Sequence, residues 1–186
     1  RSSPLALKQT EIVSESLKKF FEIEVVKVST TGDKFLNKPL AEIGGKGLFV
    51  KELERSLSNG DAHIAIHSLK DMDSFEENNL VIGAYLKRND PRDVIVLKKD
   101  KSLNNDTLTI GSGSKRRELQ FKSFFKNINC KNVRGNIDSR ISKVKKGEYD
   151  GVILALAGIQ TLRLENEITK IFSEEKIIPS AGQGVI

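Results

Sequence analysis

The stretch TLTIGSGSKRRELQFKSFF (107–125) decides the fold. Leu108 and Ile110 alternate with Thr107 and Thr109, which is the two-residue period of a strand. GSG (111–113) supplies a tight turn, and SKRRELQFKSFF (114–125) reads as the helix that follows. Working outward, the same order recurs. VIVLKK (94–99) is a strand, and NVRGN (132–136) ends another. Asn136 then stands as the cap of a helix with Ile137, Ile141 and Val144 at i, i+4 and i+7. GVILALAG (151–158) is a buried strand, GIQTLRLE (158–165) a short helix, and IIPSAGQGVI (177–186) an extended return segment.

The first half repeats the alternation. Ser3-Pro4 is a helix start, with a serine cap and proline at the first helical position. Ile12, Val13, Leu17, Phe20 and Phe21 follow at helical spacing. IEVVKVS (23–29), AHIAI (62–66) and LVIGAYL (80–86) read as strands, and a helix with Phe49, Val50, Leu53 and Leu57 on one side ends near Gly60. TTGDKFLNKPLAEIGGKG (30–47) has no clear period, and a connection of that length is usually functional or mobile. Strands alternating with helices predict an α/β fold of mainly parallel sheets flanked by helices. RNDPRD (88–93), polar and interrupted by proline, joins two apolar runs and marks a domain boundary. The expected division is residues 1–88 with a return segment at 182–186, and residues 89–181.

Composition narrows the class. The chain has 186 residues, 38% hydrophobic and 30% charged, as in a folded globular protein. No run reaches the ~18 apolar residues of a membrane span. One cysteine, Cys130, excludes an internal disulfide framework and a thiolate-rich metal site, and suits a reducing compartment. His63 and His67 have no third metal donor at usable spacing, so no metal is expected. The net charge of +6 suits an acidic partner. Nucleic acid rests on charge alone, because 6% aromatic residues and no tryptophan offer little for stacking bases. Arg1 lies in what reads as a strand-to-helix turn and GVI (184–186) in an apolar run, so the chain reads as a fragment cut at both ends.

The cations are placed unusually. Arg1, Lys70 of HSLKD (67–71), Arg116, Arg117 and Arg134 all sit at strand-to-helix turns, and Arg140 lies one and a half turns into the next helix. Such turns lie at the carboxyl ends of strands, where ligands of α/β sheets bind. Helix starts hold anions, and arginine grips carboxylates through two hydrogen bonds. For a single arginine a surface charge is as good a reading; repetition at several turns points to a polyanionic ligand. Asp71, placed among cations, is either a structural salt-bridge partner or a carboxylate that stabilises a cationic intermediate or moves a proton.

These motifs together resemble the porphobilinogen deaminase (hydroxymethylbilane synthase) family over essentially the whole chain. The resemblance rests on RSSPLALKQ (1–9), TTGDKFLNKPLAEIGGKGLFVKELE (30–54), HSLKD (67–71), DPRDV (90–94), GSGSKRR (111–117), VRGNIDSR (133–140), GEYDGVILALAG (147–158) and PSAGQG (179–184). It implies a cytoplasmic, monomeric transferase that joins porphobilinogen units head to tail with loss of ammonia, giving hydroxymethylbilane in haem biosynthesis. It implies a covalent dipyrromethane cofactor, no nucleic acid and no membrane. The implied fold is two periplasmic-binding-protein-like domains with a cleft between them, and a small third domain that this chain lacks. That third domain carries the anchoring cysteine, so Cys130 is not the anchor and the fragment alone is expected to be inactive.

By motif, Asp71 matches the catalytic carboxylate. Arg1, Ser3, Lys70, Ser114, Arg116, Arg117, Arg134 and Arg140 match residues that hold the acetate and propionate arms of substrate or cofactor. Gly44, Gly45, Lys46, Gly47 and Phe49 match a mobile loop over the active site. The sequence departs from the family pattern at Thr161, where an arginine is usual and Arg163 stands two residues on. It departs also at Asp73, where proline is usual, and at Gly113 and Lys115, where Ser and Leu are frequent. The rival reading is a non-catalytic periplasmic-binding-protein-like module for a small polyanion.

Overall fold

The computed structural model describes residues 1–29, 50–72, 79–104 and 107–186. The chain divides into two compact units, one of Arg1–Arg88 with Val185–Ile186 and a second of Asn89–Gly184.

In the first unit, helix α1 spans Pro4–Leu17 and begins as its sequence dictates. Ser3 is extended, its hydroxyl accepts from the Ala6 N–H, and proline occupies the first turn. Helix α2 spans Lys51–Ser58 and buries Leu53, with Val50 buried at its start. HSLKD ends in a 3-10 turn, Leu69–Asp71. The three stretches expected as strands (23–29, 62–66 and 80–86) form no ladder among the described residues. Val25, Val26, Ile64, Val81 and Tyr85 are exposed. Period-two alternation describes which way side chains face; a strand also needs a partner backbone. Val185 and Ile186 offer isolated bonds, from the Leu69 N–H to Val185 O and from the Leu86 N–H to Ile186 O, each 3.0 Å.

The second unit is a five-stranded mixed sheet flanked by helices. Its elements are β1 (Asp93–Leu97), β2 (Leu108–Gly111), α3 (Lys115–Phe124), β3 (Ile128–Lys131), α4 (Ile137–Lys145), β4 (Gly151–Ala155), α5 (Leu156–Thr161) and β5 (Lys170–Ile171). The strand order is β3-β2-β4-β1-β5. β2 pairs in parallel with β3 and β4, whereas β1 runs antiparallel to both β4 and β5. Four strands therefore share one direction and β1 opposes them, so the expected α/β class holds with one reversed central strand.

Burial explains why β1 and β4 read as unbroken apolar runs. Val94, Val96, Val152 and Leu154 face one core with Val133, Ile141 and Val144. Ile95, Leu97 and Ile153 face the other, with Leu108, Ile110, Phe121 and Phe172. A strand covered on both faces needs hydrophobic residues at every position. The run 151–158 does not remain a strand to its end: β4 stops at Ala155 and α5 starts at Leu156, earlier than the helix expected at 158. Leu156, Ala157, Gly158 and Ile159 are all buried, so no amphipathic period marks the change.

Gly151 is required by packing. A Cβ there would lie 2.5 Å from Leu97 Cδ2 and 2.9 Å from the Val96 carbonyl oxygen. Gly151→Ala is expected to lower unfolding free energy by about 1–3 kcal/mol, the usual effect of overpacking, measured by denaturant titration.

Candidate functional site

In the first unit the candidate residues gather on α1 and the HSLKD turn. The Gln9 amide donates to Ser68 Oγ at 2.8 Å, tying α1 to the turn. The Asp71 N–H donates to Ser68 O at 2.9 Å and the Met72 N–H to Leu69 O at 3.1 Å. Lys70 and Asp71 therefore project from a turn anchored to α1 through Ser68 and to the return segment through Leu69. His67 lies within electrostatic reach of Arg1 and Asp71. Burial lowers its pKa most, Arg1 lowers it further, and Asp71 pulls the other way, so the imidazole is neutral at pH 7. Ser3 is engaged as the α1 cap. Gly44, Gly45, Lys46, Gly47 and Phe49 lie outside the described residues, as does Asp73.

In the second unit the GSGS turn is knotted on itself. The Ser114 N–H donates to Ser112 Oγ at 3.1 Å, and Ser114 Oγ caps α3 by accepting from the Arg117 N–H at 3.5 Å. The turn also meets Arg140: a Cβ at Gly113 would sit 3.7 and 3.9 Å from its two terminal nitrogens. Arg140 Nε donates to Gly135 O at 2.8 Å, and Lys143 Nζ to Arg134 O at 3.4 Å, so two cations of α4 hold the 134–135 turn. Arg140 is partly buried, and its pKa falls to about 10 through burial first, then through Arg117 and Arg134. Burial likewise lowers the pKa of Arg134. Three arginines and a serine turn are thus brought together, and the charges of Arg117 and Arg134 work against that of Arg140.

Arg116 and Arg117 have another engagement that spacing did not reveal. Asp93, wholly buried at the start of β1, accepts from Arg117 Nε at 3.0 Å and from one terminal nitrogen of Arg117 at 2.8 Å. Its second oxygen accepts from Arg116 at 2.7 Å. Gln183, 1% exposed, donates to Asp93 at 2.8 Å and accepts from Arg117 at 3.2 Å. Arg117 also reaches Ile153 O at 3.4 Å, and Arg116 bonds the carbonyl of Ile178. Burial is the largest influence on Asp93 and raises its pKa. The Arg117 charge, hydrogen bonds from Arg117 and Gln183, and Arg116 together outweigh it, leaving the carboxyl below its usual range. The available signal was the pair of adjacent arginines at a helix start, which needs a counter-ion, and the acidic residue opening an apolar strand in DPRDV.

Thr161, where the resemblance implies an arginine, turns back on its own helix. Thr161 Oγ1 donates back to Ala157 O at 2.7 Å. Arg163, beyond the end of α5, is exposed and has φ +57°. Cys130 sits in β3, with its thiol pKa raised chiefly by burial, so it is protonated.

A depressed carboxylate pKa stabilises the fold above the ordinary value near 3.8 and loses that effect as pH falls through the lowered value. Asp93→Asn is expected to cost about 3–5 kcal/mol at pH 7, because it strands buried guanidinium charge. The difference from the parent shrinks below pH ~4. Denaturant unfolding of both proteins at pH 7 and pH 3 checks this.

The comparisons with known proteins agree with one another. A family model described as "Porphobilinogen deaminase, dipyromethane cofactor binding domain" matches residues 1–186. Proteins named porphobilinogen deaminase from Acetivibrio thermocellus, Ruminiclostridium cellulolyticum and Coxiella burnetii are 46%, 44% and 40% identical over the whole chain. The chain spans 65%, 64% and 62% of their lengths, a little under two thirds. With a match running from the first residue to the last, this chain belongs to the porphobilinogen deaminase family.

Proposed function

We propose that this chain supplies the catalytic carboxylate and the anion-holding cations of a transferase that joins porphobilinogen units head to tail, releasing ammonia and forming hydroxymethylbilane. The observation that carries the reading is Arg140, a partly buried guanidinium whose neighbours are other cations, with its pKa drawn down to about 10. Such a group favours a ligand that brings negative charge. Porphobilinogen and its oligomers do so through acetate and propionate arms. Asp71 suits the chemical step: a carboxylate on an anchored turn holds a pyrrole N–H and stabilises the positive charge that develops as ammonia departs. Lys70 and Arg1 suit the acidic arms in the same unit, and neutral His67 adds no competing positive charge beside them.

The same groups fit dipyrromethane, which is itself a polycarboxylate. Arg134, Arg140 and the Ser112–Ser114 turn of the second unit would hold its arms. When bound, it supplies the primer on which the pyrrole chain grows. Cys130 is a protonated thiol within β3, so turnover is proposed for the intact polypeptide and not for these residues alone. The reading carries with it a monomeric, cytoplasmic enzyme, in keeping with a single cysteine.

Two measurements test this. In the intact polypeptide, Asp71→Ala is expected to fold normally and to lose roughly 10²–10³-fold or more in turnover; near-normal ammonia release would refute the catalytic assignment. Porphobilinogen at ~100 times its Kd should stabilise the parent by about 2.7 kcal/mol. Arg140→Met should lose most of that thermal shift while its ligand-free melting temperature falls little, since the removed charge was disfavoured.

A further inference from the structure

Arg116 and Arg117 are adjacent in sequence and share one carboxylate, yet they are not equivalent. Arg117 is 7% exposed and donates to Asp93, Gln183 and Ile153 O. The side chain of Arg116 is 25% exposed. It makes two hydrogen bonds, to Asp93 and to Ile178 O, so three of its five N–H donors carry none among the described residues. Asp93 divides accordingly. One oxygen accepts from Arg117 and Gln183, and the other accepts from Arg116 alone. Its backbone is held by β-pairing to Ala155 and by the Phe172 N–H at 3.0 Å. The carboxylate is therefore a rigid post: three donors on one side fix its plane, and the remaining oxygen orients Arg116.

We propose that Asp93 is a positioning residue, which holds Arg116 as the ligand-facing member of the pair by clamping one end of its guanidinium while Arg117 serves as the buried anchor. Gln183 completes the post, because its amide bonds both Asp93 and Arg117. A guanidinium held at one end keeps its fork pre-organised for a ligand carboxylate, whereas an unheld arginine must be ordered on binding. The inference rests on the proposed function, in that it takes Arg116 to contact an acidic arm of porphobilinogen or of the growing chain.

The test is a double-mutant cycle in the intact polypeptide, reading KM and kcat for porphobilinogen and the melting temperature. Arg116→Gln should raise KM about tenfold, with kcat within about threefold. Asp93→Asn should do the same, and the two together should raise KM about tenfold, not about a hundredfold, because Asp93 acts through Arg116. Asp93→Glu, which keeps the charge and moves it by one methylene, enters the same cycle with the same expected outcomes if Asp93→Asn does not fold. A folded Asp93 variant with parental KM, or an additive rise in the double variant, overturns the positioning role and leaves the function standing. Parental KM in Arg116→Gln removes the ligand contact and so overturns the positioning role too, while the function, which rests on Arg140 and Asp71, is read from the Asp71→Ala and Arg140→Met variants.

Discussion

A carboxylate taken wholly out of water is the constraint on which the second unit depends. Desolvating an ion costs several kcal/mol even after relaxation, and only dense hydrogen bonding offsets it. Asp93 receives donors from two adjacent arginines and a glutamine ninety residues away in sequence. The donors come from different parts of the fold: Arg116 and Arg117 open α3, and Gln183 lies on the segment after Ile177. The ion cluster therefore sets where the first turn of α3 stands against the start of β1, and it draws residues 178–183 onto that helix. Gln120, one turn further on, completes the attachment by bonding both the N–H and the carbonyl of Ile178 at 2.7 and 3.0 Å.

The second unit was largely legible in the sequence because its elements obey local rules. TLTIGSGSKRR shows a strand, a turn and a helix in order, and Ser114 caps the helix as its type predicts. The reversed direction of β1 was not legible, since a strand buried on both faces has the same composition in either direction. The boundary between β4 and α5 was hidden for the same reason: VILALAG is apolar in every frame. In the first unit α1 was legible from Ser3-Pro4, whereas AHIAI and LVIGAYL form no ladder among the described residues. Their alternation is real, but a ladder is a property of two backbones, and one segment cannot reveal its partner.

The site divides in a similar way. Strand-to-helix turns, which single out Arg134 and the Ser112–Ser114 turn, follow from local sequence, and α4 brings Arg140 beside them. What local sequence could not separate is a cation surrounded by other cations from one that already has an internal anion. Arg116, Arg117 and Arg140 look alike in a sequence. They differ only in what tertiary packing places nearby, and Asp93 is 23 residues before Arg116. Motif matching transfers identity and not hydrogen-bond partners, so it could not show that Arg116 and Arg117 share Asp93.

Arg117 and Arg140 show two physically distinct ways to keep an arginine out of bulk water. Arg117 is neutralised: a buried carboxylate, an amide and a carbonyl accept from four of its five N–H donors, and its charge stabilises the fold. Among the described residues Arg140 bonds a single carbonyl, and burial, then its cationic neighbours, lower its pKa, so its charge works against the fold. The two roles depend on each other. If Arg117 were not neutralised by Asp93, its uncompensated charge would press on Arg140 still harder, and the cost of keeping both would rise. A neutralised cation beside one with cationic neighbours lets the unit tolerate the second guanidinium charge. An anionic group placed beside Arg140 would relieve that repulsion, which a solvent-exposed arginine could not offer to the same degree.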